Sequence, residues 1–282
     1  TMIIKENEEL KKYTSIKIGG IANKFYIPES IEELVELLKV LDNPLVISGG
    51  SNLLIDDKGK FESVICLREF NKEINNLGDG VFYFGASVHL QKAILEINKA
   101  GYGGIEYLYS VPGLIGGAIY MNAGRGYRYN QSISDYIVSV DVVENREVKS
   151  IPKDLLEFKY RYSSFQDDDR IIVGAKFKFP RCSSEETSRL RDERIKLCKT
   201  EQDNSAANFG TVFCIANPKI MKLVSKLGLG RKDGVHFSKK TPNWILNEGN
   251  GNFHDTIQLI KIVQRLHKFT FQKCKLEVKI WR

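Results

Sequence analysis

The apolar positions change their period several times along the chain, and each change marks an element. Ser30-Ile31-Glu32-Glu33 has the spacing of a capping box, in which a serine hydroxyl and a glutamate carboxylate satisfy free backbone N–H groups at a helix start. Ile31, Leu34, Val35 and Leu38 follow at helical spacing, so the segment is predicted to be an amphipathic helix. A β-type run from Leu45 to Ser48 enters Gly49-Gly50-Ser51-Asn52, and a second short run, Leu53 to Ile55, stops at Asp56-Asp57. Those glycines therefore occupy a corner between strand and turn.

A second unit opens near Leu67. It contains a predicted strand over Val81 to Gly85, a helix over Leu90 to Lys99 and a glycine-dense stretch from Gly101 to Gly126. β-type runs over Ile137 to Val143 and Ile171 to Phe179 follow. A charged helical segment, Glu185 to Thr200, comes after the Cys182-Ser183-Ser184 turn and leads into a third unit. There Asn217-Pro218 supplies an N-cap with proline at the first helical position, and Gly228 ends that helix. A last helix starts at Asp255, with Gln258 three residues on, and lines up Ile257, Ile260, Val263 and Leu266 before the run from Phe269 to Trp281. The pattern divides the chain into 1–66, 67–184 and 185–282, with no internal repeat and no low-complexity linker.

Composition narrows the class but not the function. At 282 residues, with 42% hydrophobic and 27% charged positions, the chain is long enough for about two ordinary globular domains. No stretch approaches the ~20 consecutive apolar residues that span a bilayer, and the first dozen residues are polar, so a cytoplasmic protein without membrane insertion is expected. The five cysteines are odd in number and scattered without a CxxC pair, which favours a reducing compartment over a disulfide framework or zinc cluster. The four histidines show no ligand spacing, so no metal is expected. The net charge of +7 suits either a nucleic-acid binder or an enzyme that attracts a polyanionic small molecule. Basic residues are spread out, with no run of five, and the second reading is preferred.

Two glycine clusters carry the candidate chemistry. One is Ser48-Gly49-Gly50-Ser51-Asn52; the other is Val111-Pro112-Gly113 with Gly116-Gly117, continuing to Met121-Asn122-Ala123-Gly124. Glycine lets successive backbone N–H groups approach a phosphate, so both clusters suit one pyrophosphate, although either alone can equally be a corner. Neither follows the G-x-G-x-x-G or the Walker pattern, so a dinucleotide here needs a different fold.

These blocks, together with Tyr13-Thr-Ser-Ile-Lys-Ile-Gly-Gly20, Tyr160-Arg161-Tyr-Ser-Ser-Phe165, and Gly210-Thr211-Val-Phe213 with Asn217-Pro218, resemble the UDP-N-acetylenolpyruvoylglucosamine reductase family in order and spacing over nearly the whole chain. The resemblance implies an α+β fold of the vanillyl-alcohol-oxidase type, with two FAD-binding subdomains (1–66 and 67–184) and a C-terminal substrate domain (185–282) whose final segment returns Glu277 to the site. It implies the shorter variant of the family, because the stretch from Arg161 to Gly210 has no room for the tyrosine-bearing insertion. It also implies noncovalent FAD, NADPH as co-substrate, a UDP-sugar substrate and a monomer. FAD contacts carry over to Ser48, Gly49, Gly50, Ser51 and Asn52 at the pyrophosphate, and to Pro112, Gly113, Gly116 and Gly117 near the flavin. Covalent relatives of the fold use a histidine or cysteine near these loops; here no histidine precedes His89, and Cys66 reads as a core thiol.

In the family's reaction hydride passes from NADPH to flavin and then to the vinyl carbon of an enolpyruvyl group. The neighbouring carbon then gains enolate character, so the site needs a cation at the substrate carboxylate and a proton donor at that carbon. By the resemblance Arg161 is the cation, its planar fork matching a carboxylate. Thr211 stands where the family has a serine donor, with Cys214 as a second candidate. Glu277, in Leu276-Glu277-Val278, is an auxiliary acid, and Tyr160, Asn217 and Lys199 are expected substrate contacts. The chain departs from the family pattern in Thr211 itself and in the stretch from Phe213 to Asn217, which is two residues longer and lacks a lysine. Two rivals stay open: another FAD-dependent oxidoreductase of the fold, and a noncatalytic UDP-sugar-binding descendant.

Overall fold

In the computed structural model, which describes residues 2–282 without the side chains of Tyr127 and Arg128, the local signals act where they stand in the chain. Strands β1 (Ile3–Glu9) and β2 (Ile21–Ile27) precede α1 (Ile31–Val40), whose N-cap Ser30 accepts a hydrogen bond from the Glu33 N–H. The glycine corner lies between β3 (Leu45–Ile47) and β4 (Leu53–Ile55), and β5 (Lys60–Cys66) runs parallel to β3. Strands β6 (Ile74–Gly78) and β7 (Val81–Gly85) lead to α2 (Leu90–Lys99), and the glycine-dense stretch folds into the short helices α3 (Ile115–Tyr120) and α4 (Gly126–Tyr129). Then come β8 (Ile137–Glu144), β9 (Glu147–Pro152), the small hairpin of β10 (Phe158–Lys159) and β11 (Tyr162–Ser163), and β12 (Ile171–Lys178). Helix α5 (Ser184–Glu201) is followed by β13 (Ala207–Thr211), β14 (Phe213–Ile215), α6 (Pro218–Leu227), β15 (Val235–Phe237) and β16 (Trp244–Asn247). The chain ends with α7 (Phe253–Phe269), β17 (Lys275–Leu276) and β18 (Lys279–Trp281).

One predicted boundary moves. The last helix starts at Phe253 and not at Asp255, because Asn252 is the N-cap and accepts from the Asp255 N–H at 2.9 Å. Asn252, in the extended conformation, takes the cap in place of Asp255, which then serves as first-turn acid. The other terminal helix behaves as read, with Asn217 accepting from the Lys219 N–H and Gly228 closing it in the left-handed conformation at φ +62°.

The chain divides into two compact units. The first comprises Thr1–Ile4, Tyr26–Gly49 and Ser63–Cys198; the second comprises Lys5–Phe25, Gly50–Glu62 and Lys199–Arg282. The first is built on a five-stranded sheet of order β6-β7-β12-β8-β9, with every pair antiparallel. Alternate residues of β7, β8 and β12, among them Phe82, Phe84, Val140 and Phe177, bury one face against α2 and α3, as period-two strands covered on one side must. A second cluster of the same unit packs Leu34 and Leu37 of α1 on Ile65, Val143 and Val173.

The second unit holds smaller ladders. β13, β16 and β15 form an antiparallel sheet, β14 pairs with β17, and β18 runs parallel to β4, matching Lys279 with Leu53 and Trp281 with Ile55. Met221 and Val224 of α6 and Ile257, Ile260 and Val263 of α7 cover them in one apolar core. His267 is wholly buried there. Its Nε2 accepts from the Asn217 N–H at 2.8 Å, which leaves Nδ1 to donate to the Val263 carbonyl at 2.8 Å and assigns a neutral ring.

Candidate active site

In the first unit the two glycine clusters meet. The segment Gly113 to Gly116 is tied to the end of β7: Leu90 N–H donates to the Gly113 carbonyl, Ile115 N–H to Val88 and Gly116 N–H to Ala86. That places it against the Ser48-Gly49 corner. A methyl group built on Gly49 would lie 3.8 Å from Gly113 Cα, and one built on Gly117 would lie 3.7 Å from Ser48 Oγ. Side chains at these positions would fill the space between the two walls, so the bare backbone there fits a flat or diphosphate ligand. Pro112 is exposed beside this wall. The corner is itself held by Arg68, whose guanidinium donates to the Ser48 carbonyl at 3.4 Å and the Gly49 carbonyl at 3.0 Å.

Arg161 sits in the same unit at the tip of the β10–β11 hairpin, with φ +56°. A left-handed arginine is uncommon and persists only where its surroundings fix it. Here Ser163 Oγ and Gln166 Nε2 both donate to the Tyr120 carbonyl, at 2.7 and 2.8 Å, and Asn122 Nδ2 donates to the Lys159 carbonyl at 2.9 Å. The Arg161 guanidinium donates to the Gly124 carbonyl at 2.8 Å and lies 5.2 Å from the Tyr160 ring centroid. A hollow of about 460 Å³ opens beside it, lined by Asn122, Ser134, Asp135, Tyr160 and Arg161 among others. A guanidinium at the wall of a polar hollow is suited to an oxyanion, because its planar fork matches a carboxylate.

In the second unit, three stretches far apart in sequence are joined by hydrogen bonds. Asn52 Nδ2 donates to the Glu277 carbonyl at 3.1 Å, and the Lys279 N–H donates back to the Asn52 carbonyl at 3.1 Å. The Glu277 N–H in turn donates to the Val212 carbonyl at 2.8 Å, so Glu277 lies across the ladder from the residue after Thr211. Gly50 and Ser51 are fastened to the Tyr13 to Gly20 block, the Ser15 N–H donating to the Gly50 carbonyl and Ser15 Oγ to the Ser51 carbonyl.

Thr211 is placed by a bulge. Asn208 pairs with Leu246 and Thr211 with Trp244, leaving one extra residue on β13, and Gly210 takes φ +74° to absorb it. Asn243 then fixes the exit: its Oδ1 accepts from the Phe213 N–H at 3.1 Å and its Nδ2 donates to the Phe213 carbonyl at 2.8 Å. Cys214, the second donor candidate, has a thiol pushed up by burial and then by the Glu277 charge, so it stays protonated. Its Sγ faces the Lys275 and Leu276 carbonyls, at 3.5 and 3.7 Å. Asn217 spends its side chain on the α6 cap and on Gln272, and Lys199 is exposed in the last turn of α5, where its carbonyl accepts from Lys240 Nζ at 2.9 Å. Among the described residues, no group of three or more His, Cys, Asp or Glu is placed to hold a metal, and no helix is long and apolar enough to cross a membrane.

Sequence reasoning did not single out Arg68, which fastens the Ser48-Gly49 corner, or Asn243, which fastens the exit from β13. Arg68 followed an apolar strand as one more basic residue, and Asn243 stood 30 positions from the backbone it holds, so neither carried a local signal.

Comparison with known proteins gives three kinds of match. A family model described as an FAD binding domain matches residues 22–147. The chain is 31% identical over 278 residues to the UDP-N-acetylenolpyruvoylglucosamine reductase of Fusobacterium nucleatum, covering 95% of this chain and 96% of that protein. It is 35% identical over 289 residues to the enzyme of the same name from Carboxydothermus hydrogenoformans, covering 98% and 93%. The crystal structure of UDP-N-acetylenolpyruvylglucosamine reductase from Thermus caldophilus aligns with a TM-score of 0.84 at 28% identity, over 100% of both chains.

Proposed function

The chain belongs to the UDP-N-acetylenolpyruvoylglucosamine reductase family, and from that premise we propose that it reduces the enolpyruvyl double bond of UDP-N-acetylglucosamine enolpyruvate with NADPH, yielding UDP-N-acetylmuramate for peptidoglycan precursor synthesis in the cytoplasm. It is an oxidoreductase with an FAD-binding domain, and its α+β fold is of the vanillyl-alcohol-oxidase type. The observation that best supports the reading is the main-chain network Asn52–Glu277–Val212, which brings a predicted flavin-loop residue, the predicted auxiliary acid and the neighbour of Thr211 together within one unit.

Bound FAD supplies the hydride acceptor and donor that the two half-reactions need. The chain's own residues do the rest. Ser48 to Asn52 and Pro112 to Gly117 hold the cofactor noncovalently through main-chain groups. Arg161 holds the substrate carboxylate and stabilises the charge that grows there as the vinyl carbon is reduced, with Tyr160 beside it as a substrate contact. Thr211 delivers a proton from its hydroxyl to the adjacent carbon, in the place of the family's serine; the bulge at Gly210 aims it, and β-branching restricts its rotamers. Glu277 serves as auxiliary acid, and Lys199 and the α6 N-terminus that Asn217 caps receive the UDP diphosphate.

The half-reactions separate these roles. Under nitrogen, NADPH is expected to bleach the flavin absorbance of the purified protein, and the UDP-enolpyruvyl sugar to restore it. Thr211→Val keeps the bleaching rate and slows recolouring about a hundredfold, the size expected for loss of a general acid. Equal slowing of both steps removes Thr211 from the proton transfer, and bleaching without recolouring by the sugar favours a different oxidoreductase of the fold.

A further inference from the structure

The second unit carries exposed apolar side chains that the proposed reaction does not use. Residues 204–232 and 256–276 each contain five Lys or Arg and no Asp or Glu. These stretches hold α6 and most of α7, and they meet at Asn217, whose N–H donates to His267 and whose side chain donates to Gln272 at 3.3 Å. Among the lysines stand large apolar side chains in open solvent. Phe269 is 83% exposed and Phe271 97% exposed, and Leu223 and Leu227 of α6 and Ile215 of β14 are exposed as well. Ile215 pairs in register with Lys275, so it belongs to the same end of the unit as the two phenylalanines.

Two features mark the phenylalanine tip as more than scattered surface. Phe271 has φ +53°, a conformation that a bulky residue rarely adopts, and the turn is held by its own main chain: Phe271 N–H donates to Lys268 and Gln272 N–H to His267. The tip also stands on a cationic field. A field that only drew in an anionic substrate would need the lysines but not the aromatics.

We propose that this face docks peripherally on an anionic lipid surface, with Phe269 and Phe271 entering the headgroup region and the surrounding lysines meeting lipid phosphates. The combination of aromatic and aliphatic side chains with a basic surround is what an interfacial membrane contact requires. A lipid surface is favoured over an acidic protein by the kind of base present: eight of the ten basic residues in the two stretches are lysine. Protein interfaces are depleted in lysine and enriched in arginine, whose fixed fork suits a fixed partner, whereas a flexible point charge suits a fluid array of headgroups. The aromatics protrude from a turn, as insertion into a soft phase needs.

The test is co-sedimentation of the whole protein with vesicles of phosphatidylcholine, with and without about one-third phosphatidylglycerol, at physiological salt. The protein is expected to bind the anionic vesicles and not the neutral ones. Phe269→Ser with Phe271→Ser lowers that binding about tenfold, and Lys268→Glu with Lys273→Glu lowers it at least about twenty-fivefold, at roughly fivefold per lysine. Thermal unfolding and flavin content of both variants match the parent, which shows that the face and not the fold has changed. No binding to anionic vesicles overturns the proposal. Binding that survives loss of both phenylalanines also overturns it, as does tighter retention by polyaspartate than by vesicles.

Discussion

The two units differ in how they build a site and in charge. The first carries 20 Lys and Arg against 23 Asp and Glu; the second carries 22 against 12. The first sets the Ser48-Gly49 corner on β3 and the Gly113 to Gly117 segment beside β7, and the hydrogen bonds donated there and at the Arg161 hairpin by Arg68, Asn122 and Ser163 span 19 to 43 positions. The second joins pieces as far apart as Asn52 and Glu277, 225 positions, through a pair of hydrogen bonds and the three-residue ladder of β4 and β18. A wall made of sheet and packed glycines tolerates the loss of one polar contact. A ladder of three distant segments is less forgiving, and the placement of Thr211 and Glu277 in it depends on a few side chains such as Asn52 and Asn243.

Asn243→Ala tests that contrast most severely. It strips both hydrogen bonds from the Phe213 main chain and leaves two peptide groups unsatisfied beside the buried Phe213 ring, at about 1–3 kcal/mol each. We expect a loss of about 2–4 kcal/mol in denaturant unfolding. In the folded fraction, substrate-driven recolouring of the flavin should slow more than tenfold, while FAD affinity stays within about twofold. If FAD affinity falls as far as the recolouring rate, the two units are not separable in this way.

The same contrast explains what could be read from the chain. Elements governed by local rules were legible: Ser30 caps α1, Asn217-Pro218 opens α6 and Gly228 closes it. Thr211, Arg161 and Glu277 stood out only through the family resemblance, since a lone threonine, arginine or glutamate has no period or spacing of its own. Arg68 and Asn243 escaped because their partners are carbonyls and amides, which look alike at every position. The start of α7 was misplaced by two residues because Asn252 and Asp255 are both good N-caps, and only the folded chain decides between them.

Arg68→Met makes the corresponding cut in the first unit. The change keeps a long apolar stem and removes the charged donor to the Ser48 and Gly49 carbonyls, a hydrogen bond of the class that contributes about 1.5–3 kcal/mol. Fluorescence titration of the apoprotein should show FAD binding weakened about tenfold. Once saturated with FAD, the variant should recolour with substrate at close to the parent rate. A recolouring rate that falls with the affinity would mean that the corner also orients the substrate.

The smallest effect is expected at Tyr107, and its sign is opposite. The ring packs on the core of the first unit, and its hydroxyl oxygen is shut off from solvent with no hydrogen-bond partner among the described residues. Burial, and then the charges of Tyr136, Asp135 and Glu106, push the phenol above its ordinary range, so it stays protonated and its O–H remains an unmet donor. Tyr107→Phe removes that atom and leaves the ring in place. Eliminating an unsatisfied buried hydroxyl should raise unfolding stability by about 1 kcal/mol, with FAD affinity unchanged. A variant less stable than its parent would show that the hydroxyl does have a partner in the folded protein, an ordered water being the simplest, and the first unit would then contain a polar link as consequential as those of the second.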